Sequence, residues 1–261
     1  MRRMDLDHGR EFDFGRTSEM YARYRDIYPP AFFRPLLDRG LCVRGQAVLD
    51  LGTGTGVLPR SLYSYGAAFT GIDSSANQIE QAKALAKKGR MRIRFLCTPA
   101  ESCVFPGERF DVVTACQCFA YFDHAVLAPR LSDLLQPGGR LAVLYMAWLP
   151  EEDPVAGRSE ELILRYHPGW TGAGERRRPN PVPEAYQPYF KVEAEEVFDL
   201  AVPFTRESWN GRILSCRGVG ASLPAGEVRR FEAEHRRLLE AVAPPAFSVR
   251  HYAAVTVLQK R

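Results

Sequence analysis

VLDLGTGTGV, residues 48–57, carries an apolar run with one carboxylate straight into three glycines spaced two apart. Glycine costs backbone entropy wherever its freedom is not needed. Gly52, Gly54 and Gly56 therefore mark a place where something comes too near the backbone to tolerate a side chain. The run before them reads as a buried strand, and VLPRSLYSYG (57–66) after them reads as a helix. In an open α/β sheet, a strand, a glycine turn and a helix N-terminus in that order bring a ligand against bare backbone.

The same alternation continues along the chain. Short apolar runs at 47–51, 68–73, 92–97, 110–116 and 140–147 have the composition of buried strands. Between them, residues 74–89 put Ile79, Ala82, Leu85 and Ala86 on one helical face, with Ser74 or Ser75 as N-cap and Gly89 as a C-cap glycine. Residues 124–139 place Val126, Leu127, Leu131, Leu134 and Leu135 on one side of a second helix before PGG turns the chain into the next strand. Repeated βα units imply a parallel sheet with right-handed crossovers and ligands at the carboxyl ends of the strands.

The dinucleotide fingerprint G-x-G-x-x-G would need a glycine at 57, where Val57 stands. Asp50 lies inside the end of the first strand, where a charge is costly unless hydrogen-bonded or opposed by a charged ligand, and a pyrophosphate would repel it. Asp73 closes the second strand, placed to accept from two vicinal ribose hydroxyls. Its alternative role is a carboxylate at the N-terminus of the following helix, favoured by the macrodipole. An adenosine bearing a cationic group instead of phosphates satisfies both aspartates, which is the chemistry of S-adenosylmethionine. Tight-turn chemistry without any ligand is the other reading of the glycines.

With these residues placed, the chain resembles the class I S-adenosylmethionine-dependent methyltransferases, small-molecule branch. VLDLGTGTG, GIDSS, TPAESCVFPGERFDVVTACQCFAYF and LLQPGGRLAVL carry the resemblance over roughly residues 45–148. It implies an α/β fold: a Rossmann-like, doubly wound, mostly parallel seven-stranded sheet with an antiparallel last strand and a helical cap. Tyr21, Arg25, Tyr28 and Pro29 match the N-terminal helix of that branch, which covers the cofactor and would set Tyr21 and Arg25 near its methionyl end. Read alone, Arg25 pairs with a carboxylate or is a surface helix charge. The implied cofactor residues are Tyr21, Arg25, Asp50, Gly52, Thr53, Gly54, Gly56, Asp73, Ser74, Ala100, Glu101, Cys116 and Gln117. Pro99-Ala100-Glu101 replaces the family's Asp-Ala-Glu, so the usual partner of the adenine amino group is missing; backbone groups of Ala100 and Glu101 are the candidates in its place, and a solvated loop charge is the other reading of Glu101. Ala120 and Tyr121 stand where many relatives have His and Trp.

A sulfonium is already activated, so positioning a nucleophile near its methyl carbon supplies much of the rate. Tyr121, His124 and Trp148 are the catalytic candidates, with Asp123 near them; His124 has the intrinsic pKa of a base or is a structural residue at a helix start. Cys116 and Cys118 point to one face if the strand persists and read as small buried hydrophobes. No His or Cys pair has metal-ligand spacing, so no metal is expected.

Composition narrows the setting. The chain has 261 residues and 46% hydrophobic residues, enough for a full core. Its net charge of +4 is too small to argue for nucleic acid. Six scattered cysteines fit reduced thiols, and no run is apolar enough for a leader or a membrane span. A cytoplasmic protein with no membrane partner is the expectation.

The second half is less regular. The domain reading is an N-terminal helix plus cofactor-binding core at 1–149, a substrate-facing insertion at 150–188, final core strands at 189–202 and 248–261, and a helical cap at 203–247 with helices near 206–217 and 225–242. GERRRP within the first insertion fits a solvated surface better than a phosphate contact. A small-molecule methyl acceptor is expected beneath the cap. RNA or protein methylation on the same fold, a non-catalytic binding module and a dinucleotide oxidoreductase remain as alternatives; the fourth strand ends in CQCF rather than the Asn/Asp-Pro-Pro-Tyr/Phe of base methylation.

Overall fold

The computed structural model of the chain describes residues 6–261. The first five residues, which begin the N-terminal stretch in which no leader is read, lie outside the described residues. Among the described residues the strands are β1 (Ala47–Leu51), β2 (Ala68–Asp73), β3 (Arg94–Cys97), β4 (Phe110–Cys116), β5 (Leu135–Trp148), β6 (Phe190–Thr205) and β7 (Ala246–Lys260). The α-helices are α1 (Ser18–Tyr24), α2 (Pro30–Leu37), α3 (Val57–Leu62), α4 (Ala76–Lys88), α5 (His124–Leu134), α6 (Pro154–Tyr166), α7 (Arg206–Leu214) and α8 (Ala225–Val242).

The strands form one sheet in the order β3-β2-β1-β4-β5-β7-β6. β1 pairs in parallel with β2 and β4, β2 with β3, and β4 with β5, while the last strand is antiparallel. The expected sheet is thus found. The chain divides into two compact units. A core unit holds 30–146, 178–198 and 253–261, and a second unit holds the residues up to Pro29 together with 147–177 and 199–252. The stretch 150–188 is shared between them.

In the core unit, β1 and β4 are apolar on both faces because helices cover the sheet on each side. Leu49, Leu51, Val113, Leu127, Leu131 and Leu141 are fully buried in one cluster. Ser75 caps α4 by accepting from the Gln78 amide, and Ile79, Ala82 and Ala86 pack on Phe95 of β3. The left-handed residue closing α4 is Arg90 (φ 54°), one position beyond Gly89, whose φ is −79°. Asp123 caps α5 through the amides of Ala125 and Val126.

Several expected boundaries shift. β3 begins at Arg94, and α3 stops at Leu62 in a 3-10 turn. PGG does not end a helix: β5 starts at Leu135, and its register against β4 jumps between Phe110–Leu135 and Val112–Arg140, so the glycines form a bulge inside the strand. The N-terminal helix breaks after Tyr24 and resumes at Pro30, since the residue before a proline disfavours helical geometry.

The second unit is held by buried polar groups as much as by hydrocarbon. Asp153 caps α6 through the amides of Val155 and Ala156, with Pro154 at the first helical position. α8 buries Phe231, His235 and Leu239, spaced four apart. The Trp209 Nε1 donates to Ser159 Oγ at 2.9 Å, and fully buried His235 is held at 3.0 Å by the same hydroxyl and at 2.8 Å by Asn210 Oδ1. Gly211 of α7 lies against Tyr24 of α1, where a β-carbon would stand 2.2 Å from the ring. The Asp13 amide donates to the Ala221 carbonyl, and buried Asp7 accepts from the Thr171 amide and pairs with Arg217.

Candidate active site

The parallel register aligns the carboxyl ends of β1, β2, β3 and β4 on one edge of the core sheet: Leu51 beside Ile72 and Ala115, and Asp73 beside Cys97. The glycine loop leaves β1 there. All three of its glycines have positive φ, at 53°, 56° and 74°. The neighbours that exclude side chains belong to the protein itself. A β-carbon at Gly52 would stand 2.8 Å from Cys118 Cβ, and one at Gly56 would stand 2.7 Å from the Phe95 ring. Gly71 of β2 closes the arrangement, since a β-carbon there would meet Thr53 Oγ1 at 2.6 Å. Gly71 opens the GIDSS motif, and its place inside a buried strand marks such a close approach.

Asp73 anchors the loop. Its Oδ2 accepts from the Gly54 amide and its Oδ1 from the Ser75 amide, both at 2.9 Å. Burial pushes its pKa up, against the pull of these two donors. These two bonds orient the carboxylate at the strand end, just before the Ser75 cap of α4. Asp50 is 2% exposed and accepts from Thr114 Oγ1 at 2.6 Å. Burial raises its pKa to about 7, with Asp73 adding to the rise and hydroxyl hydrogen bonds opposing it. A buried acid neutralised in this way responds to a neighbouring cation by ionising.

At the β4 end, Gln117 holds a left-handed φ of 66°, unusual for a non-glycine residue. Its amide donates to the Leu144 carbonyl and its Nε2 to the Met146 carbonyl at 2.7 Å. Cys118 Sγ approaches the Leu51 carbonyl at 3.1 Å, while Cys116 ends β4. Ala100 is buried in a 3-10 turn, and the Glu101 carboxylate accepts from the Asp123 amide. Tyr121 lies in the turn before α5, and the His124 ring sits 3.2 Å from the Tyr186 hydroxyl and against Phe119. Thr53 and Ser74 flank the two aspartates in sequence. The core unit thus brings together Asp50, Gly52, Thr53, Gly54, Gly56, Asp73, Ser74, Ala100, Glu101, Cys116 and Gln117 at its strand ends.

Tyr21, Arg25 and Trp148 belong to the second unit. Arg25 stacks on Tyr21 at 4.6 Å, and its Nε is buried without a partner. Trp148 is 6% exposed, and its Nε1 donates to Glu160 at 2.9 Å. Arg212, absent from the sequence reading, lies over the Trp148 ring at 5.0 Å. Arg176 and Arg177 of GERRRP are paired with Glu151, Glu152 and Asp199, which leaves them occupied as a solvated surface. Among the described residues, no cluster of His, Cys, Asp and Glu could hold a metal, and no helix is long and apolar enough to cross a membrane.

The edge of parallel strand ends, with a glycine loop, one buried acid and one anchored acid, belongs to a Rossmann-like α/β fold. Residues 48–139 match the family profile described as "Methyltransferase domain". The chain is 35% identical over 133 residues to a ubiquinone biosynthesis O-methyltransferase of Bradyrhizobium sp. (strain ORS 278), covering 50% of this chain and 51% of that protein. It therefore spans about half the length of the curated relatives it matches. Among solved structures, YjhP from Escherichia coli aligns with a TM-score of 0.55 and 20% identity over 95% of this chain and 99% of that one. YcgJ from Bacillus subtilis aligns with a TM-score of 0.52 and 18% identity over 88% and 98%. These likenesses are of fold.

Proposed function

We propose that the protein transfers a methyl group from S-adenosylmethionine to a small molecule. The observation that carries this reading is the pairing of Asp50 and Asp73 at adjacent strand ends beside the glycine loop. The residues fit the cofactor: Asp50 is a buried acid suited to a cationic neighbour, and Asp73 is an oriented carboxylate suited to ribose hydroxyls. Asp73 and the loop residues Gly52–Gly56 would hold the nucleoside, with the backbone of Ala100 and Glu101 beside the base. When bound, S-adenosylmethionine supplies an activated methyl group. The chain's own task is then to hold an acceptor in line and exclude water. Tyr121, His124 and Trp148 stay proposed for that role, with the Trp148 N–H already committed to Glu160.

The methyltransferase-domain match and the O-methyltransferase relatives support the reaction class. The acceptor atom and the acceptor itself are not carried over, because the likeness covers half of each relative. Calorimetric titration with S-adenosylmethionine, S-adenosylhomocysteine and NAD tests the reading. Both sulfur nucleosides should bind and NAD should not; tighter binding of NAD would overturn it.

A further inference from the structure

Arg212 is 5% exposed, yet its Nε and Nη1 make no hydrogen bond. A buried guanidinium ordinarily carries a carboxylate partner. The groups that act on it most are Arg25, Cys216, Tyr28 and Tyr21, none of them a carboxylate. The largest effect among these groups comes from a second cation, Arg25, whose Nε is likewise buried and unpartnered. Trp148 covers one guanidinium and Tyr21 the other, at 5.0 and 4.6 Å. Aromatic stacking fills the flat faces and leaves in-plane N–H donors, the geometry guanidinium uses toward planar oxyanions. Burial and the like charge of Arg25 push the Arg212 pKa down to about 9, so it still carries its proton at neutral pH.

Two cations with buried donors that no protein group answers have the chemistry of an oxyanion receptor. A single oxyanion on Arg25 would leave the deeper Arg212 unserved. We propose that Arg212, with Arg25 beside it, binds a carboxylate of the methyl acceptor, which makes the acceptor a small carboxylate-bearing molecule. The word acceptor rests on the methyltransferase reading; the receptor itself does not. The same chemistry could be met by the amino-acid carboxylate of the cofactor, and the test separates the two sources.

Thermal melts of the full chain in sodium benzoate, benzamide and sodium chloride at equal ionic strength supply the first arm. Benzoate should raise the wild-type melting temperature, with benzamide and chloride inert. Arg212→Met should melt higher than the wild type in chloride, because an unpaired buried charge is removed, and should lose at least tenfold in benzoate affinity. A wild type indifferent to benzoate, or an Arg212→Met variant that melts lower and keeps the benzoate response, would overturn the receptor. The second arm is titration with S-adenosylhomocysteine. Arg212→Met should bind it within twofold of wild type; a tenfold loss would give the anion to the cofactor and overturn the acceptor assignment. If the wild type fails to bind S-adenosylhomocysteine, the methyltransferase reading falls and takes the acceptor assignment with it, while the melts still decide the receptor.

Discussion

The two units bury polar groups in different ways. In the core unit the buried acids, Asp50 and Asp73, stand at strand ends and are answered by backbone amides or a neighbouring hydroxyl. In the second unit buried bases and cations, His235, His251 and Arg212, join the buried acids Asp7, Asp153 and Glu160, and many of these groups sit among other side chains. A strand end is a local device, written in a few consecutive residues. A side-chain network gathers residues from α6, α7 and α8 that are far apart in the chain.

The sharpest contrast is between two glycines. Gly52→Ala forces a left-handed alanine and drives its β-carbon into Cys118, for an expected loss of about 2–5 kcal/mol. Gly211→Ala meets a side chain, the Tyr24 ring, and gains helix propensity, for a smaller loss of about 1–3 kcal/mol. Chemical denaturation of both variants checks the order, and equal losses would mean that the loop backbone yields as readily as a ring.

Titration should split the units. The Asp50 pKa is raised to about 7, so its stabilising contribution is complete below the ordinary carboxylate range and is lost as pH rises toward 7. His235 and His251 are pushed down to about 3 by burial. Their contribution is present above the ordinary histidine value and is lost as pH falls from about 6.5 toward 3. Each group changes stability by at most about 1.4 kcal/mol per pH unit inside its window. Acidification from pH 7 to 4.5 should therefore strengthen protection in core peptides and weaken it in 206–252, as read by hydrogen exchange corrected for intrinsic rates. Asp50→Asn should shrink the core response and leave that of 206–252 unchanged, the remainder coming from Asp73, whose pKa burial also raises.

This asymmetry explains what the sequence discloses. β1, β2 and β4 were legible to the residue because apolar runs bounded by glycine or aspartate leave one option, and α8 was legible from its spacing and the proline before it. β5 was not, because PGG reads equally as a turn or a bulge and only pairing with β4 decides. α6 and the buried roles of Arg212 and His235 were invisible: an arginine or histidine in a charge-rich helix has the pattern of a surface residue, and no periodicity records a partner fifty positions away. The glycine loop was read correctly as crowded, but the crowding comes from Cys118 and Phe95, residues outside the motif.

A smaller effect separates binding from folding at Asp73. Asp73→Asn keeps an acceptor for one backbone amide and removes the charge, so S-adenosylhomocysteine affinity should drop by about 1.5–3 kcal/mol while the melting temperature moves less. A fall in stability with affinity intact would leave Asp73 a purely structural cap. Arg177→Gln should do least. Arg177 bridges Glu152 and Asp199 at the exposed surface, where solvent and salt screen the pairs, so any change in melting temperature should vanish at high salt.

The pairing of Tyr24 with Glu207, at 2.9 Å, joins residues 183 positions apart, and Asp13 waits in the same way for Ala221. On a ribosome adding about 5–20 residues each second, the first segment of the second unit emerges roughly 10–40 s before its partners exist. The core's leading βα units can pair as they appear, since β1, β2 and β3 follow one another closely. Newly made chains thus pass through a stage with a half-built sheet and an unhoused leading segment bearing Phe12, Phe14 and Tyr21. That interval, rather than the finished molecule, is where a chaperone would find this protein.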